Sequence, residues 1–99
     1  MYKQTFFSAV LSYVSDMTGV SSERITGKAH DTESTDARYI VASLLSDRGF
    51  YPAQIAEFLR RTPRSIRWLL SRKTSKMLLV YLKKARDYAA GHLPAAPAS

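Results

Sequence analysis

Two prolines eleven residues apart, Pro52 and Pro63, limit the middle of this chain to two short elements. Proline breaks a helix interior but is tolerated at the first helical position, where its missing N–H costs nothing. Tyr51-Pro52 therefore opens one helix, with Ile55, Ala56 and Leu59 on its buried face. Thr62-Pro63 opens a second, with Thr62 as N-cap and Ile66, Leu69 and Leu70 facing inward. Arg60 and Arg61 make the turn between them. The stretch 52–71 has the spacing of a helix-turn-helix, whose two short helices cross steeply and need small or branched apolar residues at set offsets. Ala56 permits close approach, and Ile66 is the apolar plug. The turn carries arginine at 60 where glycine is common, and a non-glycine residue adopts such a turn at modest cost.

The rest of the chain also reads as helix. Phe6, Val10, Tyr13, Val14 and Met17 recur at spacings of three and four, which predicts a helix over about 3–18, stopped by Gly19. Ser21 or Ser22 caps a short turn through Ile25, and Gly27 closes it. Residues 28–36 are polar and unpatterned and read as a loop. A second long helix follows over about 36–47, with Ala37, Ile40, Val41, Leu44 and Leu45 on its apolar face and Gly49 at its end. A last helix starts near Thr74 or Ser75, buries Met77 or Leu78 with Tyr81, Ala85 and Tyr88, and ends at Gly91. No segment alternates as a strand does. The expected fold is all-α, a small helical bundle containing the helix-turn-helix, with one domain over 1–90 and a flexible tail over 91–99.

Several chemistries are excluded. Among 99 residues there is no cysteine and there are two histidines, so neither a thiolate nor a histidine-based zinc site is expected, and no cofactor. No phosphate loop and no nucleophile–base pair is visible. Asp31, Glu33 and Asp36 lie together in the polar stretch with no histidine pattern beside them, so an enzyme is not expected. The longest apolar run, Met77–Leu82, is far short of the ~20 residues that span a bilayer. The expectation is a soluble cytoplasmic domain with no membrane partner.

Charge points to the partner. The net charge is +7. Residues 1–40 and 41–59 each carry −1, whereas residues 60–90 hold ten cations against Asp87 alone, a net +9. Such asymmetry suggests a polyanion. On the second helix of the pair the outward residues are Arg64, Ser65, Arg67, Trp68, Ser71 and Arg72. Its N-terminus offers free N–H groups and the positive end of the helix dipole. In this motif the first residues of the second helix meet base edges in the major groove of double-stranded DNA. Arginine bonds guanine bidentately, which makes Arg64 and Arg67 candidate base readers. Thr62 and Ser65 can bond a phosphate or a base edge. Tyr51 and Gln54 are candidates for orienting contacts, as are Arg60, Arg61 and Lys73. Trp68 lies off the buried stripe, and either packs on the last helix or leans on the DNA backbone. Tyr13, Tyr81 and Tyr88 read as core.

The run Val14-Ser15, Thr18-Gly19-Val20-Ser21, Glu23, Ile25, Lys28, Ala37-Arg38-x-Ile40, Leu44, Ile55, Leu59, Arg61 and Ser65-Ile66 resembles the C-terminal DNA-binding domain of the bacterial replication initiator DnaA, with its Trp-repressor-like helix-turn-helix. The resemblance covers about residues 5–73. It implies base reading by Thr62, Pro63 and Arg64, and phosphate contacts by Ser65 and by Arg38 at the start of the long helix. Further contacts would fall on Arg67, Trp68 and Arg72, and a basic loop at the minor groove on Lys28, Ala29 and His30. The chain lacks the family's Asp-His-Thr-Thr signature and any ATPase phosphate loop. Its extra arginines suggest a more guanine-rich target.

The function expected is sequence-specific binding of double-stranded DNA by a small regulator of transcription, replication or a mobile element. A homodimer or a larger replication or regulatory assembly fits this reading, and Tyr2, Phe7 and Leu11 could form a dimer seam. The competing reading is a protein-interaction module that sets its basic C-terminal helices on an acidic partner. An anionic membrane surface is the third and weakest reading, because the apolar face of the last helix is needed for the core.

Overall fold

Helix α3 (Thr32–Asp47) is the axis on which the other elements of the computed structural model pack. Around it stand α1 (Tyr2–Thr18), α2 (Ser22–Thr26), α4 (Pro52–Leu59), α5 (Pro63–Ser71) and α6 (Lys76–His92). The structure describes residues 2–92, apart from the side chain of Tyr2, and holds no strand among them. The fold is a small all-α bundle. No helix among the described residues is long and apolar enough to cross a membrane.

Burial follows from position. Ala37 to Leu45 of α3 are buried without interruption, because the helix is covered on every side. α1 contributes Phe6, Phe7, Val10 and Val14, α4 Ile55, Ala56 and Leu59, and α5 Ile66 and Leu69. Phe7 is not on an outer seam, since its ring stacks on Phe58 at 4.7 Å, and Leu11 is half-buried against the same core. Tyr2, the third member of that expected seam, has no described side chain.

α3 begins four residues before the expected 36. Asp31 is its N-cap, and one carboxylate oxygen accepts the Ser34 N–H at 3.1 Å. The first turn, Thr32 to Thr35, is polar although Ser34 is buried, so it shows no apolar period. α6 also departs from expectation. Its buried row is Leu78, Leu82, Ala85 and Ala89, while Met77 and Tyr81 are exposed. Six successive apolar residues leave the phase of a helix undefined in sequence, and the buried row is completed by the small side chains Ala85 and Ala89. Tyr88 is half-buried and stacks on Tyr13 at 3.9 Å. Gly91 does not stop the helix, which continues to His92; the remainder of the expected tail, 93–99, lies outside the described residues.

The α4–α5 turn closes tightly. Arg60 takes the left-handed conformation, φ 56° and ψ 46°. Its N–H reaches the Glu57 carbonyl at 3.3 Å, and the Arg61 N–H reaches the Ala56 carbonyl at 2.8 Å. This is a Schellman closure with arginine where glycine is usual. Thr62 then caps α5, its Oγ1 accepting the Ser65 N–H at 3.1 Å.

Candidate nucleic-acid interface

With Ile66 and Leu69 turned into the core, the opposite side of α5 is set by helical geometry. Arg64, Trp68 and Ser71 fall on one outward row at spacings of four and three, and Arg67 lies beside it. All four are exposed, and Trp68 keeps 60 % of its surface. Trp68 is therefore not buried under α6; it stands in the middle of the outward row. α5 contains no carboxylate.

Hydrogen bonding divides the basic residues into two groups. Arg38 is buried, with Nε donating to the Ile25 carbonyl at 2.7 Å and Nη2 to the Arg24 and Ala29 carbonyls at 3.0 Å each. Burial and the neighbouring Arg61 charge both lower its pKa, against a smaller opposing pull from Asp31. A guanidinium stays protonated in proteins all the same. Arg38 is thus a brace for the α2–α3 connection, with 4 % of its surface left for the phosphate contact that the resemblance implies. Arg61 donates to the Gly27 carbonyl at 2.6 Å. Arg72 pairs with Asp36 at 2.6 Å and lies over the Tyr39 ring at 5.8 Å. Gln54 is occupied too, its Oε1 accepting the Tyr51 N–H at the start of α4 at 2.9 Å.

The second group is unpaired. Among the described residues, the side chains of Arg60, Arg64, Arg67, Lys73 and Lys28 are in no ion pair, and all are exposed. Tyr51, Thr62, Pro63 and His30 are exposed as well, and Ser65 is half-buried. His30, Thr35 and Arg38 face Ser65, Ile66, Trp68 and Leu69 across an open cleft of about 260 Å³, with Arg61 completing the wall. The connection carrying Lys28 and His30 thus borders α5, and Arg38 and Arg61 fix it there.

Sequence reasoning missed two of the groups that hold this surface. Gly27 supplies the carbonyl for Arg61, and a Cβ there would meet the Glu23 carbonyl oxygen at 2.5 Å. Asp31 caps α3 and pairs with Arg24 at 2.6 Å. The Ser34 amide is the main reason that its carboxyl lies below the usual carboxylate range. The Asp31-to-Ser34 spacing is a capping signal, so Asp31 was findable; the Gly27 carbonyl had no signal. Compared with known protein families, curated proteins and solved structures, the chain matches none.

Proposed function

We propose that this chain is a sequence-specific binder of double-stranded DNA, with α4 and α5 acting as a helix-turn-helix in the manner of the DnaA C-terminal domain. It serves as a small cytoplasmic regulator of transcription or replication and has no catalytic role. The observation that carries this reading is the unpaired, carboxylate-free row on α5, where Arg64 and Arg67 stand exposed beside the helix N-terminus. A face kept only for solubility is usually mixed in sign.

Each residue has a role in this reading. Arg64 and Arg67 read guanine O6 and N7. Pro63 brings the first turn close, and the Arg64 amide is a first-turn N–H left for a phosphate. The Thr62 hydroxyl hydrogen and Ser65 Oγ remain for the DNA, because their cap uses the Thr62 oxygen and the Ser65 amide. Trp68, on the same row as Arg64, offers an apolar edge to a thymine methyl in place of a backbone contact. Arg60, Lys73 and Lys28 meet phosphates, with Tyr51 and His30 at the margins. Arg38, Arg61 and Arg72 act by positioning.

The test is selection from random duplexes at near-physiological salt. An enriched motif containing guanine is expected, and a two-fold motif would indicate a homodimer. Arg64→Ala should relax one base pair by ~1–3 kcal/mol. A uniform loss over all sequences would make Arg64 a phosphate contact, and absence of any duplex binding would overturn the DNA reading.

A further inference from the structure

α6 carries a surface for which DNA binding has no use. Of the run Met77–Leu82, only Leu78 and Leu82 enter the core. Met77, 64 % exposed, stands with Leu79, Val80 and Tyr81 as four large apolar side chains in solvent within five residues. Scattered exposed apolar residues are ordinary, but a contiguous patch marks an interaction site. Met77 and Tyr81 form one wall of a cleft of about 190 Å³, opposite Thr18, Val20, Ala37 and Ile40.

The charge around the patch selects its occupant. Lys76, Lys83 and Lys84 are exposed and in no ion pair among the described residues. Lys76 is at the first position of α6, where the helix dipole disfavours a cation and favours an anion beside it. On the far wall Asp36 is neutralised by Arg72, which leaves Glu33 to repel carboxylates toward the α6 side. A second copy docked two-fold on this face would set these lysines against their own equivalents.

We propose that the first half of α6 docks an acidic amphipathic helix of a partner protein. Its apolar anchors meet Met77, Val80 and Tyr81 and fill the cleft, while its carboxylates meet Lys76, Lys83 and Lys84. Anchors at spacings of three and four match the helix-in-groove mode of recognition. The surface is separate from α5, and the inference stands whether or not α5 binds DNA.

The experiment titrates the full ¹⁵N-labelled chain with a synthetic helix bearing leucine anchors and glutamate flanks. Saturable shifts confined to 76–84 and the cleft walls are expected. Val80→Glu, at an exposed position and with its fold checked by circular dichroism, should weaken binding about tenfold or more, a change of about 1.4 kcal/mol. Lys83→Glu combined with Lys84→Glu should abolish binding of the glutamate probe and restore it for a lysine-flanked one. Equal affinity for a glutamine-flanked probe, or no saturable shift, would overturn the proposal. So would self-association lost in Val80→Glu, binding to anionic vesicles but not to the probe, or α6 signals of the free protein that move when residues 93–99 are deleted. Duplex binding followed in parallel should be unchanged by Val80→Glu, which separates this surface from α5.

Discussion

Arg60 combines a backbone cost with a charge. Its φ of 56° lies in the left-handed region, which favours glycine. Arg60→Gly should therefore raise stability by about 0.5–1 kcal/mol in urea unfolding. The same change removes an unpaired cation, so in the DNA reading it should reduce the salt slope of binding by about 1. Stability and affinity then move in opposite directions, and an unchanged slope would leave Arg60 a turn residue only. Asp31 shows the reverse coupling. Its carboxyl is lowered in the native state, so its stabilising contribution is present above the unfolded carboxylate pKa and is lost as pH falls through the native value. Thermal unfolding should show wild type and Asp31→Ala well separated at neutral pH and converging in acid, whereas Asp31→Asn keeps a cap and titrates less.

At the scale of elements, the connection between α2 and α3 is held by arginine from both sides. Arg38 donates to the Arg24 and Ile25 carbonyls at the end of α2 and to the Ala29 carbonyl in the connection, and Arg61 donates to the Gly27 carbonyl there. Arg38→Ala should destabilise the fold by about 2–4 kcal/mol, and Arg38→Lys should recover little, because an ammonium cannot reproduce the planar fork. Gly27→Ala should cost about 1–3 kcal/mol through its clash with the Glu23 carbonyl, checked by the denaturation midpoint. The sequence was most legible where proline fixed the start of a helix: α4 and α5 begin at Pro52 and Pro63, as expected. It was least legible where pattern fades, at the polar first turn of α3 and in the unbroken apolar run of α6. The division of the arginines could not be read at all. Arg61, Arg72 and Arg86 find their acceptors Gly27, Asp36 and Asp47 at separations of 34, 36 and 39 residues. A local charge count therefore treated engaged and unengaged cations alike.

For the whole molecule that division has a measurable form. If Lys28, Arg60 and Lys73 are the phosphate contacts, log K against log salt should have a slope of about −3. Alanine at Lys28 or Lys73 should flatten it by about one each, whereas alanine at Arg64 or Arg67 should relax base specificity. Alanine at Arg61 or Arg72 should lower the melting temperature and leave the slope alone. The central position of α3 has a further consequence for how the molecule opens. Every other helix lies on it, so no subset of helices retains a covered core when α3 is released. Amide protons along Ala37 to Leu45 should thus exchange with deuterium only through complete unfolding, and those of Ile66 and Leu69 should follow at nearly the same rate. A peptide of residues 52–71, cut free of that axis, should be largely unstructured, because helices of 8 and 9 residues do not persist alone in water.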